Sequence, residues 1–275
     1  MTGATVERLA SGAASPGVTL PRVLRSEWTK LWSLRSTRWS LLAAVVGMAG
    51  LGALVAAFQM NHWPHADPGE RAHFNAIDTG VGGYHLAQLA IAVLGVLVIS
   101  GEYSTGMIRS SFMAVPRRLP VLWAKLLNYG VVTFVLMLAA SFVSFFAVQA
   151  VVKQRNLQQS ISDPHALRAV VGTALFLTVL GALCIGLGAV IRNTAGGIAA
   201  FVGLLFVLPG VFAILPASIN DAVSPYLPLN AGTAVATVRF DNSQHLAPWA
   251  GFGVFCAYAA AAIIGAAIAL VRRDA

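Results

Sequence analysis

Charge is what this sequence has least of. Of 275 residues, 10% are Asp, Glu, Lys or Arg and 57% are hydrophobic, whereas a water-soluble domain is about a quarter charged. So few charges do not coat a water-facing surface of this size, which excludes a soluble enzyme and places the chain in a bilayer. Cysteine is scarce as well. Cys184 and Cys256 lie in apolar stretches with no second Cys or His at ligand spacing, so neither a disulfide framework nor a zinc site is expected. His62, His65 and His73 share a loop that enforces no geometry, and no metal site is expected there. Neither a Gly-x-Ser-x-Gly elbow nor a His-Glu-x-x-His pair is present, which removes an intramembrane hydrolase. Gly101 and Gly106 have the spacing of a phosphate-binding loop, but Met107 and Ile108 follow where Lys and Ser or Thr are required. The chain is therefore expected to bind no cofactor and to have no enzymatic activity of its own.

What is present is apolar and helical. Six stretches without Asp, Glu, Lys or Arg are long enough to cross a hydrocarbon core, at about Trp39 to Met60, Tyr84 to Gly101, Leu126 to Val152, Ala169 to Ile191, Ala195 to Ala217 and Ala247 to Val271. They lack the alternation of a membrane barrel. The expected fold is an all-α polytopic membrane protein of six transmembrane helices, residues 39–275, after a disordered tail, residues 1–19, and an amphipathic interfacial segment, residues 20–38. With both termini cytoplasmic, 13 of the 18 basic residues fall inside, as the positive-inside rule asks.

Two segments outside the spans carry pattern. In Leu20 to Leu34 the residues Leu20, Leu24, Trp28, Leu31 and Trp32 share a helical face while Arg22, Arg25 and Lys30 lie opposite. That pattern predicts a helix flat in the headgroup region, cations toward anionic lipid or a cytoplasmic partner, with Arg35 and Arg38 flanking the first span. Between spans two and three, Gly-Glu-Tyr-Ser-Thr-Gly-Met-Ile-Arg leads to Val-Pro-Arg-Arg at Val115 to Arg118. A short helix there, with Ile108, Phe112 and Val115 on one side, is expected to dock its exposed apolar ridge into a partner.

With Leu-Pro-Leu-Asn-Ala-Gly at Leu227 to Gly232, these motifs resemble the membrane subunit of bacterial ABC-2 type exporters, in the same order and with the same span count from about Leu20 onward. The resemblance implies a permease half in the cytoplasmic membrane that pairs with a second copy or a paralogue. Two separate ATP-binding subunits would hold ATP and Mg, and no nucleic acid is involved. It implies that the flat helix and a coupling helix at roughly Tyr103 to Val115 contact those ATPases. Glu102 and Gly106 correspond to the glutamate and glycine of the family motif, and Met107 stands where many relatives carry Thr. Tyr103, Arg109, Arg117 and Arg118 belong to the same implied surface.

Several residues admit a plainer role. The plainer role of Glu102 is to begin a helix, where a carboxylate satisfies free amides, and Arg117 and Arg118 serve equally as topology signals. Pro209 and Pro216 in the fifth span make either a hinge or gate in the path or a static kink. The proline-broken but apolar stretch Ser218 to Leu246 is expected to form short re-entrant helices on the outer side. Small residues at Gly52 and Ala56, and at Ala261, Gly265 and Ala269, allow close helix packing. No titratable residue is expected at mid-membrane, which speaks against a proton-coupled carrier. A membrane scaffold or sensor and an ion-gradient-driven carrier remain the alternatives to an ATP-driven exporter of an amphipathic drug, natural product or lipid.

Overall fold

A computed structural model describes residues 19–115, 117–239 and 246–272. The expected tail at residues 1–19 lies, but for Thr19, outside the described residues, as do Pro116 and the end of the chain from residue 273. Among the described residues the protein is all helical, with no strand. In chain order the helices are α1 Leu20–Ser33, α2 Arg35–His62, α3 Pro68–His73, α4 Ala76–Val81, α5 Tyr84–Ser104, α6 Met107–Ala114 and α7 Leu119–Val152. They continue as α8 Ala166–Ile191, α9 Thr194–Val202, α10 Leu208–Ala213, α11 Ala217–Val223, α12 Pro228–Thr233 and α13 Pro248–Arg272.

Six stretches are long and apolar enough to cross a membrane: Arg35–His65, Ala76–Ser104, Leu119–Arg155, Ala166–Ile191, Thr194–Ala213 and Pro248–Arg272. They sit where the hydropathy placed them: the first four are longer than expected, the fifth ends at Ala213 and not at Ala217, and the sixth is shifted by one residue. The helices stop for local reasons. Leu34 turns to extended backbone between α1 and α2, so Arg35 and Arg38 are the first turn of the first span. Gly106 has φ 71°, a left-handed geometry that suits a residue without Cβ, and it separates α5 from α6. Asn193 accepts a hydrogen bond from the Gly196 amide at 2.9 Å and starts α9.

The bundle is built around α8, of which 61% of the spanning stretch is buried, against 17% for the fifth span. It packs on α5, α7, α9 and α13, while α2 packs on α7 and α5. Close approach of α5 to α8 needs glycine: a Cβ on Gly95 would lie 2.7 Å from the Gly181 carbonyl oxygen, and one on Gly181 would enter the Tyr129 ring. Tyr129 is fully buried there and donates to the Ile91 carbonyl at 2.6 Å. Gly52 and Ala56 do pack tightly, against α7. The small stripe on α13 is rotated from the expected one, because Ala261 faces outward while Ala259, Ala262, Ala266 and Ala269 meet the bundle.

The two prolines of the fifth span differ. Gly203–Val207 is wound as a π-helix immediately before Pro209. A widened turn accommodates the ring and the missing amide. Pro216, expected inside the span, lies beyond its end at Ala213 and in extended backbone precedes α11. It terminates the span and is not a bend within it.

Candidate functional site

The chain enters and leaves the bundle at two ends, and α1 and α6 lie at the same one. There the structure buries four charges. Glu27 on α1, Glu102 in the last turn of α5 and Lys125 on α7 are 5%, 5% and 4% exposed, with Lys30 of α1 half-buried beside them. Lys125 Nζ lies 2.6 Å from Glu27 Oε2 and 2.7 Å from Glu102 Oε1. Lys30 Nζ lies 2.7 Å from Glu27 Oε1 and 3.2 Å from Glu102 Oε1, and donates to Ser111 Oγ of α6 at 2.9 Å. Two carboxylates and two ammoniums thus alternate in a neutral tetrad that joins α1, α5, α6 and α7.

The charges hold because they compensate each other. Desolvating a lone ion costs several kcal/mol, on the order of what a well-formed pair recovers. Burial alone would lower the Lys30 ammonium, but the hydrogen bond and charge of Glu27, then of Glu102, outweigh it and hold the group above its usual value. Around the tetrad the packing is apolar. Val23, Val121 and Ala124 form a small core with Leu24, Phe112 and Val115, and Asn128 Nδ2 donates to the Leu24 carbonyl at 2.8 Å.

This arrangement corrects several expectations. Glu102 does not begin a helix, since α5 runs on to Ser104 and α6 opens at Met107. The helix expected from Tyr103 to Val115 is instead Met107–Ala114, because Gly106 breaks the winding. Its ridge turns inward: Ile108 is 3% exposed, and Phe112 and Val115 pack on α1 and α7, where they cover apolar surface that charges alone would leave wet. The outward side carries Arg109, Met113 at 78% exposure, and Arg117 after the helix. Lys30, expected among cations facing away, is turned into the tetrad. Arg22 and Arg25 do face outward, and Trp28 and Trp32 are exposed as a tilted pair 5.8 Å apart.

Arg118 belongs to neither a docking face nor a free loop. Its guanidinium donates to the Leu270 carbonyl at 2.9 Å and stacks over the Phe112 ring. Arg192 does the same for the Ala269 carbonyl at 3.0 Å and lies over the Tyr103 ring. Both cations sit at the carbonyl end of α13, where charge and free acceptors favour them. Glu27 and Lys125 were missed from the sequence. Glu27 stands outside the apolar face expected for α1, and Lys125 lies one residue before the expected start of the third span at Leu126. The signal was available in each: a single charge four residues from apolar neighbours on both sides.

At the opposite end the segment between the fifth and sixth spans folds into α11, a 3₁₀ turn at Ser224–Tyr226, and α12. Residues Ala231 and Ala234 to Ala236 are buried against α8 and α13. Arg168 donates to the carbonyls of Ala234, Val235 and Thr237, and Asp78 accepts from the Val238 and Arg239 amides at 2.7 and 3.1 Å. The part of the expected re-entrant stretch at residues 240–245 lies outside the described residues. No group of His, Cys, Asp and Glu suited to a metal occurs among the described residues. Compared with known proteins, the chain matches no family model and no curated protein.

Proposed function

We propose that this chain is the permease subunit of an ABC-2 type exporter in the bacterial cytoplasmic membrane, both termini cytoplasmic, acting as one half of a homodimer or paralogue heterodimer. The observation that carries the reading is the tetrad. It fastens α1 and α6, the two elements outside the spans at one end, to the long helices α5 and α7. A push received at α6 would then reach two spans through rigid, desolvated contacts.

On this reading Arg109, Met113 and Arg117 meet one of two cytoplasmic ATP-binding subunits, which hold ATP and Mg. Glu102, Gly106, Ile108, Phe112 and Val115 seat the coupling helix. Tyr103, Arg118 and Arg192 lock the end of α13 beside it. Trp28 and Trp32 lie in the headgroup region with Arg22 and Arg25 toward anionic lipid. The π-turn before Pro209 is the hinge of the fifth span, and the clasped segment after α12 is the outer gate. An uncharged apolar interior suits export of an amphipathic drug, natural product or lipid.

The test is copurification of the tagged chain from its membranes in mild detergent. The reading expects a stoichiometric partner whose sequence contains a phosphate-binding loop, with ATP hydrolysis in the complex. A partner without such a loop makes the chain a scaffold or sensor. A second reading, an ion-gradient-driven carrier, draws on the buried carboxylates of the tetrad. Uphill solute movement by the chain alone, driven by a pH gradient, would replace the first reading with it.

A further inference from the structure

Beside the tetrad, between α1, the start of α2 and the end of α5, lies a cleft of about 310 Å³, at the small end of ligand-sized cavities. Leu31, Leu94, Leu97 and Val98 make its wall, and Glu102, Lys125 and Thr37 its polar end. Two buried polar atoms there have no hydrogen-bond partner: Glu102 Oε2 and Thr37 Oγ1. Glu102 satisfies both lysines through Oε1 alone. A buried carboxylate oxygen without a donor is costly to keep, and the cleft is the open volume beside it.

The chemistry narrows the occupant. The tetrad sums to zero charge, so a ligand with net charge would enter a poorly solvated place without compensation. A zwitterion brings its own balance. Its cationic group must donate hydrogen bonds, because Glu102 Oε2 accepts only. That admits a primary ammonium and rejects a quaternary one, which has no N–H. The apolar wall calls for an alkyl chain, and of the serines lining the cleft Ser33 and Ser104 already donate to the Lys30 and Gly101 carbonyls, which leaves the Ser36 hydroxyl to donate to an anion. We propose that this cleft binds a zwitterionic amphiphile with a primary ammonium head group, its ammonium on Glu102 and its chain along Leu94 and Leu97. The cleft belongs to this chain alone, so the inference does not rest on the transport reading.

Native mass spectrometry of the purified full chain, offered phosphatidylethanolamine, phosphatidylcholine and oleylamine at equal mole fraction, tests it. Phosphatidylethanolamine is expected to be retained about tenfold over phosphatidylcholine, the ratio that one hydrogen bond to a charged group supplies. Oleylamine, which shares the ammonium but carries net charge, is expected to be retained less than phosphatidylethanolamine. Equal retention of oleylamine would overturn the zwitterion, and equal retention of phosphatidylcholine would overturn the site. Leu97→Trp, which fills the cleft without touching the tetrad, is expected to abolish retention, and Thr37→Val to reduce it. Undiminished binding in Leu97→Trp means that lipid sits elsewhere and the proposal fails. Should a variant not fold, the head-group comparison on the unmodified chain still decides.

Discussion

Lys125 is the residue on which the α1/α6 end depends. Replacing it by Met leaves Glu27 and Glu102 buried with one counter-charge fewer, and breaking a buried pair in this way costs about 3–5 kcal/mol. Thermal unfolding in detergent checks it, and a loss below about 1 kcal/mol would show the charges to be solvated. Lys30 predicts a pH dependence of definite sign. Its folded value is raised above that of the free side chain, so its contribution is complete below the unfolded value and is lost as pH rises through the folded one. Stability is therefore expected to hold from neutral pH to near 10 and to fall above it. The alkaline fall should shrink in Lys30→Met, and a fall centred near neutrality would contradict the assignment. None of this was legible from charge patterning. The helical wheel of α1 is correct in period, but a wheel does not show which face meets protein and which meets lipid: Glu27 lies on the buried face between Val23 and Leu31, and Lys30 at its edge.

Elements were read more securely than side chains. Twenty apolar residues in a row leave a membrane helix no alternative, since every backbone amide has to be paired within the segment. The spans emerged at their places for that reason. Their ends did not, because a helix carries on past the apolar limit while its charges find partners, as α7 does through Lys125. The α5 to α6 break was the opposite case. A glycine five residues after the expected span end at Gly101 is visible in the sequence, yet the left-handed φ of 71° is only one of the conformations that a glycine allows. Gly106→Ala is expected to cost about 1–2 kcal/mol, the penalty of left-handed backbone for a residue with Cβ. Hydrogen exchange over Met107–Ala114 should rise with it. At the other side of the same end, Arg118→Ala and Arg192→Ala each remove a donor from the carbonyl end of α13. Faster exchange confined to the last turn of α13 is the expected readout, and unchanged exchange there would deny the anchoring role.

At the scale of the whole molecule, the fifth span is the least buried of the six, with Val202, Phe206, Val207 and Val211 exposed. The buried centre, α8, is held on several sides. Around it, α1 and α6 are tied to α5 and α7 through the tetrad, and the least buried span bears the π-turn. On the proposed reading, movement at the α6 end is expected to pass to α5 and α7, with adjustment at Gly203–Val207. The sequence made the six-span architecture legible through its apolar runs. Where the ridge of α6 packs is not legible in the sequence, because an apolar ridge looks the same whether it faces a neighbouring subunit or its own α1 and α7.

The most direct test of the account is site-specific crosslinking to the proposed ATP-binding subunit, in a chain with Cys184 and Cys256 replaced by Ala. A single cysteine is placed at Met113, or at Glu70 at the opposite end. The account predicts a crosslinked product from the Met113 position and none from the Glu70 position. A product from Glu70 with none from Met113 would contradict it.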